Sequence, residues 1–264
     1  MKNICFIGYG NMAKSIAQGL RQHPRFHLSA SSPSLSRSIN EDGVKTYANN
    51  LEHVHQADVL LIAVKPNKVL DVLHDLHDLI PAHCVILSIA AGIRLETLAR
   101  ACSTGQAIVR GMPNTPIAVG KGATPLIANA FVNVSQKALV DSLFQCSGIT
   151  SWIDCEADMD SFTALSGSGP AYVFLFMEAM ESAARKLGLP DEQARSFTLQ
   201  TVSGAVALAE QSEQSAQDLR KKVTSPAGTT AAAIAILQQR GLDELIYDAM
   251  QAAKARAREM GSEH

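Results

Sequence analysis

The fold is decided by Ile4–Cys5–Phe6–Ile7–Gly8–Tyr9–Gly10–Asn11–Met12–Ala13, where an apolar run meets a turn with two glycines and then a helical pattern. Four successive apolar residues predict a strand that is covered on both faces. Gly8 permits the tight turn, Gly10 lets the backbone approach a pyrophosphate, and the small Ala13 lets the helix pack closely on the strand. Free N–H groups at the start of that helix attract anions. The stretch therefore predicts a bound dinucleotide at Gly8–Ala13, with a tight turn that binds nothing as the alternative.

Strand and helix patterns continue to alternate as far as about Asp154. Several apolar runs contain no polar residue, as in the strands of a parallel sheet. We therefore predict an α/β fold built on a Rossmann-type, parallel, doubly wound sheet. The predicted strands are Ile4–Ile7, Phe26–Ala30, Val59–Val64, Cys84–Ile89, Ala107–Val109, Ala123–Ile127 and Ile149–Ile153, and the first helices are Met12–Arg21, Val69–Leu79 and Gln136–Phe144.

Beyond Glu156 only helical patterns remain, which predicts a nucleotide-binding domain over residues 1–156 and an all-helical domain over residues 157–264. Thr229–Leu237 is apolar nearly all round, and such a helix must be buried. A helical domain of this size would bury its apolar faces most easily against a second copy. We therefore predict a dimerisation domain and a homodimer or larger oligomer. The predicted helices are Ala171–Leu187, Asp191–Gln211, Ala216–Val223, Thr229–Gln239 and Asp243–Met260.

Composition argues against several classes of function. The 264 residues carry a net charge of −2 without a basic tail, so no nucleic-acid partner is expected. No window approaches the ~18 apolar residues of a membrane span, and the first residues do not resemble a secretory signal. None of the five cysteines forms a Cys-x-x-Cys pair, which fits reduced thiols and a cytoplasmic location. His74 and His77 share a helix face, but too few further ligands lie nearby to predict a metal site.

The end of the second predicted strand indicates which nucleotide binds. An NAD site usually has an acidic residue about 20 residues after the glycine turn, bonded to the ribose 2′-OH. Here the strand ends Ser29–Ala30–Ser31–Ser32–Pro33, and no acid occurs before Glu41. The hydroxyls of Ser31 and Ser32 and the cation of Arg37 suit a 2′-phosphate, so we expect NADPH in preference to NADH. The alternative is that these serines merely begin the next helix.

Two further loops follow predicted strands, at the carboxyl ends where open α/β sheets bind ligands. One is Ala63–Val64–Lys65–Pro66, and the other is Ser88–Ile89–Ala90–Ala91–Gly92. We predict that the first loop, together with Ala90 and Ala91 of the second, contacts the coenzyme. Ordinary connecting loops are the alternative.

Three other segments are unusual for structure alone: Arg110–Pro116 with Asn114 between two prolines, Leu165–Tyr172 with Ser168, and Val223–Thr230. The last two place small hydroxyl residues and glycine before a predicted helix. Free N–H groups there would form an anion site for a carboxylate. Because Ser and Thr are also ordinary N-caps, the spacing alone leaves both interpretations open.

At these segments the chain closely resembles pyrroline-5-carboxylate reductases over nearly its whole length. The resemblance is carried by Gly8–Ala13, Ala63–Pro66, Arg110–Pro116, Ser166–Tyr172 and Ser225–Thr230. It implies a Rossmann domain that binds NADP, followed by a helical domain that binds substrate and forms an interlocked dimer, often assembled into a decamer. It also implies reduction of 1-pyrroline-5-carboxylate to proline by NADPH or NADH.

The resemblance further assigns residues to the substrate. Ser225, Gly228, Thr229 and Thr230 would surround the carboxylate and ring nitrogen, with Thr230 at the catalytic position that bonds the nitrogen. Ser168 is assigned to the substrate and Asn114 to the coenzyme. The chain departs from the family at Ala227, where many relatives have glycine, and over Ser31–Arg37, where Asn-Arg is often found.

The residue inventory fits that chemistry. Reducing a ketone requires a proton donor for the alkoxide, whereas reducing a protonated cyclic imine leaves a neutral amine. The helical half has no histidine before His264; Tyr172, Lys221 and Lys222 are its candidate donors. Two alternatives remain. A β-hydroxyacid dehydrogenase would need a catalytic lysine, and none follows the glycine-rich turn before Lys186. A nucleotide-sensing binding protein would lack catalysis.

Overall fold

In a computed structural model, described here for residues 1–21 and 23–262, nine strands form one sheet. The strands are β1 (Lys2–Ile7), β2 (Phe26–Ser31), β3 (Ser38–Ile39), β4 (Lys45–Tyr47), β5 (Val59–Ile62), β6 (Val85–Ser88), β7 (Ala107–Gly111), β8 (Gly122–Ala128) and β9 (Gly148–Trp152). Their order across the sheet is β3-β4-β2-β1-β5-β6-β7-β8-β9.

In the described chain, four helices lie between strands of the sheet, and the remaining six follow its last strand. The helices are α1 (Asn11–Leu20), α2 (Val69–Leu76), α3 (Leu95–Arg100), α4 (Val134–Gln145), α5 (Asp158–Phe162), α6 (Gly169–Lys186), α7 (Asp191–Glu210), α8 (Ala216–Lys222), α9 (Thr229–Gln239) and α10 (Leu242–Ser262), and a π-helical turn covers Thr163–Gly167. The chain thus has the predicted Rossmann-type sheet followed by helices.

Strand β1 shows why its apolar residues are continuous. It lies between β2 and β5, and parallel pairing joins it to both. Ile4 and Phe6 pack into the core on one face of the sheet, whereas Cys5 and Ile7 pack into the core on the other. Because successive side chains of a strand point to opposite faces, every residue of the run is buried.

The seven predicted strands are confirmed, but the sheet is mixed rather than wholly parallel. Strand β8 runs antiparallel to β7, and β3 runs antiparallel to β4. Residues 112–121, which join β7 to β8, contain only the short 3₁₀ segment Thr115–Val119. A parallel return would need a crossover of a dozen or more residues, so this short connection turns the chain back. The sequence does not predict the short elements β3, β4, α3 and α5, because a segment of two to six residues is too short to show a periodic pattern.

The chain divides into two compact units. The first comprises Met1–Ser168 and the last helix from Ala252 onward, and the second comprises Gly169–Gln251. The first unit contains α5 and the π-helical turn together with the sheet, and the domain boundary at residue 156 stays a prediction. No helix within the described residues is both long and apolar enough to cross a membrane.

The helical unit has almost no core of its own. Among residues 169–251, all of them described, only Ala194 and Thr198 are buried. Large apolar side chains are exposed along its helices, including Phe174, Phe176, Phe197, Leu208 and Leu245. Monomeric proteins rarely expose apolar surface on this scale, which is typical of an interface.

Candidate functional site

The glycine turn after β1 has the geometry of a phosphate cradle. Gly8 adopts φ +87°, and a Cβ there would lie 2.8 Å from the carbonyl oxygen of Ala63, so no side chain fits. Gly10 is the N-cap of α1, and no side chain in the described chain caps that helix end. No other described segment comes within 4 Å of where a Gly10 Cβ would stand. The first amides of α1 therefore face space that a pyrophosphate could fill.

Other residues of this turn serve packing. The Ala13 side chain is buried in the core. Tyr9 is also buried, with its ring edge-on to Phe6 and its hydroxyl accepting a 3.3 Å hydrogen bond from Asn40. Burial raises the pKa of Tyr9. The turn thus offers its backbone to a ligand while its side chains fix the turn to the sheet.

The sheet brings the predicted coenzyme loops to one edge. Pairing aligns Ile7 with Ser31 and Ile62, and Ile62 with Ser88. Three backbone bonds extend this row past the strand ends: Gly8 N to Ser31 O at 2.8 Å, Ala63 N to Ile7 O at 2.8 Å and Ile89 N to Ile62 O at 3.1 Å. The glycine turn, Ala63–Pro66 and Ser88–Gly92 therefore start at the same carboxyl edge, where ligands of such sheets bind.

At the end of β2 the structure separates the two predicted serines. Ser31 is fully buried, and its hydroxyl donates to Oδ1 of Asn50 at 2.6 Å, so its only proton is already used. Ser32 is partly exposed, and its hydroxyl lies 3.2 Å from that of Ser34. Sequence reasoning missed Asn50 and Ser34. The position of Asn50 just beyond β4, itself at the carboxyl edge, could have indicated it.

Arg37 is exposed near this point but has protein partners. Its guanidinium lies 5.9 Å from the Tyr47 ring centroid, and Nη1 lies 3.8 Å from a carboxylate oxygen of Glu52. Exposed pairs at such distances are weak. The cation therefore remains available to an anion at the end of β2.

Asn114 is buried and uses both ends of its amide within the protein. Nδ2 donates to the carbonyl of Ser166 at 2.9 Å, and Oδ1 accepts from the amide of Ala123 at 2.8 Å. It thereby joins the turn after β7 to the π-helical turn, which ends beside Ser168. Such π-helical turns are frequent at functional sites.

In the helical unit, Ser225–Gly228 forms a tight turn before α9. The Gly228 amide donates to the Ser225 carbonyl at 3.1 Å, Pro226 holds the second position, and Ala227 has φ +57° in the third. This matches a type II turn, which favours Pro and then a residue with positive φ. Among the described residues, Ala227 is the one residue other than glycine with positive φ.

That turn leaves the start of α9 open. Gly228 is the N-cap, and no described side chain caps the helix end. A Cβ at Gly228 would meet the Ser225 hydroxyl, which would have to rotate away. Thr229 is exposed and Thr230 half-buried in the first turn of the helix. N-capping by a Ser or Thr side chain is therefore not seen at α9, and the anion site there stays a prediction.

No grouping of three or more His, Cys, Asp or Glu that could hold a metal occurs in the described part of the chain. The rings of His74, exposed near the end of α2, and His77, half-buried just beyond it, stack with centroids 5.6 Å apart.

The Rossmann-type sheet, its glycine turn and the uncapped first helix define the class of dinucleotide-binding proteins. The helical unit adds exposed apolar surface of the kind found at interfaces. Comparison with known proteins specifies the family. Residues 3–92 match the model "NADP oxidoreductase coenzyme F420-dependent", and residues 156–260 match "Pyrroline-5-carboxylate reductase dimerisation". The chain belongs to the pyrroline-5-carboxylate reductase family.

Individual relatives cover almost the whole chain. A pyrroline-5-carboxylate reductase of Pseudomonas aeruginosa is 41% identical, with 98% of this chain and 97% of that protein covered. The structure of a pyrroline-5-carboxylate reductase from Coxiella burnetii is 40% identical with a TM-score of 0.92, and 98% of each chain is covered. A Plasmodium falciparum pyrroline carboxylate reductase, solved with NADP bound, is 31% identical with a TM-score of 0.88 and the same coverage.

Proposed function

We propose that this chain reduces 1-pyrroline-5-carboxylate to L-proline with NADPH, the last step of proline biosynthesis. The observation that carries the proposal is the uncapped N-terminus of α9 behind the Ser225–Gly228 turn, in a chain that belongs to this family over nearly its full length. Full-length similarity also supports catalysis over a role in nucleotide sensing alone.

The substrate carboxylate would lie at the start of α9. Its oxygens would accept from the first amides of the helix and from the Ser225 hydroxyl, with the positive end of the helix dipole adding attraction. The Thr230 hydroxyl, in the first turn of the same helix, would accept from the protonated ring nitrogen. Ser168, beside the π-helical turn, is the further proposed substrate contact.

The coenzyme site fits the same proposal. The Gly8–Ala13 turn would hold the pyrophosphate, while Ala63–Pro66, Ala90, Ala91 and Asn114 lie on or beside loops at the carboxyl edge. The bound coenzyme would supply a hydride for the imine carbon, and the ring nitrogen would keep its proton as it becomes a secondary amine. The protein's own residues therefore need to hold the ring in place rather than to deliver a proton in that step.

We propose a preference for NADPH over NADH. Its support is the end of β2, where Ser32 and Ser34 offer hydroxyls, Arg37 offers a cation, and no acid stands in the strand-end sequence. Ser31 contributes less directly, because its proton is bound to Asn50. NADH remains the secondary coenzyme in this proposal.

We also propose a homodimer formed through the helical unit, with further assembly to a decamer. The exposed apolar side chains of residues 169–251 and the dimerisation model over residues 156–260 support the dimer. A cytoplasmic location is proposed on the five cysteines, all of which are free in the described structure. Nucleic acid and membrane are not proposed as partners.

The decisive experiment is oxidation of NADPH, followed by its absorbance, with pyrroline-5-carboxylate as acceptor. Folded protein should turn over, and the product should be proline by chromatography. A run with 3-hydroxy acids and NADP tests the dehydrogenase alternative. That alternative has no support in the structure, because Lys186 lies at the far end of α6, roughly 25 Å along the helix from Gly169. Turnover of hydroxy acids without turnover of the imine would contradict the proposal.

A further inference from the structure

One carboxylate oxygen of Glu156 accepts two hydrogen bonds from different parts of the chain. Nη1 of Arg110 donates to Oε1 at 2.8 Å, and the backbone amide of Leu95 donates to the same atom at 2.9 Å. The Arg110 side chain is 6% exposed and that of Glu156 is 26% exposed. This is a largely buried, charge-assisted pair, which is stronger and more directional than an ion pair on the surface.

Arg110 lies in the row of residues that ends the parallel strands. The β6–β7 pairing sets Arg110 beside Ser88, and Ser88 pairs in turn with Ile62 of β5. That row is the carboxyl edge from which the glycine turn and the other predicted coenzyme loops begin. The Arg110–Glu156 contact therefore lies at the level of the proposed coenzyme site.

Glu156 connects this edge to two loops of the proposed site. Leu95 is the first residue of α3, and Ala90–Gly92 ends just before it. Glu156 caps α3 from a distant part of the chain, and its charge is favourable at a helix N-terminus. The backbone carbonyl of Glu156 accepts a 3.1 Å hydrogen bond from the backbone amide of Met159, at the start of α5. Helix α5 continues into the π-helical turn and Ser168.

A second contact joins the same two stretches of chain. Asn114, four residues after Arg110, donates to the Ser166 carbonyl at 2.9 Å, ten residues after Glu156. The turn after β7 and the segment from Glu156 to Ser168 are thus tied at both ends. Bonds at two points hold a segment against translation and rotation, which a single bond does not.

The surroundings of the pair are ionic but mixed in sign. Arg94, Lys254 and Arg258 line the same cavity of about 400 Å³ as Asp158 and Asp160. Asp158 and Asp160 belong to the helix that Glu156 precedes, but the hydrogen bonds of Arg110 and Leu95 go to Glu156.

We propose that Glu156 is a positioning residue for the reductase reaction. It acts through Arg110 and α3 to hold Ala90–Gly92 and Ser166–Ser168 in the geometry that coenzyme and substrate require. The proposal rests on the proposed function, which assigns these loops to the coenzyme and the substrate.

The test compares Glu156→Gln, Arg110→Met and the double variant Arg110→Met/Glu156→Gln. Each single variant leaves one buried charge without its partner, whereas the double variant leaves neither. The melting temperature of the double variant should therefore be closer to the wild-type value than that of Arg110→Met. We nevertheless expect its KM for NADPH to rise and kcat/KM to fall roughly ten- to a hundredfold, because displaced loops lose orientation.

A matched control is Glu96→Gln, which removes an exposed carboxylate from the same helix α3, where it pairs with Arg100. Its kinetic constants should stay at wild-type values. Arg110→Lys, which retains the charge, should rescue part of the loss. If Arg110→Met fails to fold, the double variant serves alone, because it leaves neither buried charge without a partner.

A direct titration of NADPH fluorescence gives Kd without any substrate. Weaker binding by the folded variants would support the positioning role even if wild-type protein did not reduce the imine. Wild-type Kd and wild-type kcat per folded molecule in the double variant would overturn it, because a merely structural pair changes only the amount of folded protein.

Discussion

The Ser31 hydroxyl donates a 2.6 Å hydrogen bond to Oδ1 of Asn50, and this bond ties the end of β2 to the segment after β4. A buried hydroxyl with its proton so engaged is a structural element of the sheet edge. Recognition at this end of β2 therefore falls to the more exposed neighbours, Ser32, Ser34 and Arg37.

Coenzyme choice should respond to charge at Ser32. Ser32→Asp places an acid where NAD sites usually have one. We expect it to repel the 2′-phosphate and to lower kcat/KM for NADPH at least tenfold while NADH is affected less. The measurement is the ratio of the two specificity constants. Ser103→Asp adds the same charge at an exposed position elsewhere and should leave the ratio unchanged. A preference for NADH in the wild-type protein would contradict the proposal.

Thr230→Ala should slow catalysis without weakening the binding of the coenzyme. The variant removes the hydroxyl proposed to bond the charged ring nitrogen, and such bonds contribute about 1.5–3 kcal/mol. We expect kcat/KM for the imine to fall by about one to two orders of magnitude, with the Kd for NADPH as in wild type. Thr104→Ala, at an exposed site, is the control. Equal losses in both measurements would refute the assigned role of Thr230.

Ala227→Gly should stabilise the protein slightly. Ala227 holds φ +57°, a conformation that costs about 1–2 kcal/mol for a residue with a Cβ. Glycine removes that cost. It also raises the conformational entropy of the unfolded chain, which lowers stability by about 0.4–1 kcal/mol. The net gain is about 0.5–1 kcal/mol in the free energy of unfolding, measured by denaturant titration.

The same substitution inside a helix should lower the free energy of unfolding rather than raise it. Ala138→Gly, at an exposed position inside α4, should destabilise by about 1 kcal/mol. If Ala227→Gly and Ala138→Gly lowered the free energy of unfolding by similar amounts, the turn at Ala227 would not be strained.

Stability should fall on acidification because of His53. The ring is buried, Nδ1 lies 2.8 Å from the Ser29 hydroxyl, and desolvation lowers the pKa from 6.5 to about 4. Between pH 6.5 and 4 the unfolded chain therefore binds a proton that the folded protein does not. This contribution to stability is fully present above pH 6.5 and is lost as the pH falls, by up to about 3 kcal/mol.

The measurement is the free energy of unfolding across that range. His53→Gln should flatten the dependence, whereas His27→Gln, at an exposed site, should leave it as in wild type. An equally steep profile in His53→Gln would assign the effect to other groups.

The helical unit should hold the oligomer together. Light scattering at low concentration should report a dimer or a larger species. Phe197→Glu, in a side chain that is 71% exposed in the isolated chain, should dissociate it because a charge would be buried at the interface. Phe131→Glu, a similar change in the sheet unit, is the control. A stable wild-type monomer would contradict the prediction.

Local sequence was sufficient for the features that depend on neighbours along the chain. The apolar run at Ile4–Ile7 determined a strand buried on both faces, and the glycines at 8 and 10 determined the turn. The helical patterns after Glu156 predicted α6 to α10 to within two residues at each end. These features follow from side-chain periodicity and backbone freedom, which act over a few residues.

Tertiary structure decided which side chains meet. The sheet order placed Asn50 beside Ser31 and Arg110 in the row with Ser88, and the fold returned Glu156 to Arg110 from 46 residues away. It also made β8 antiparallel and set Ala227 at positive φ. Partner choice depends on which strands become neighbours and which polar groups burial forces to pair, and no local pattern encodes either.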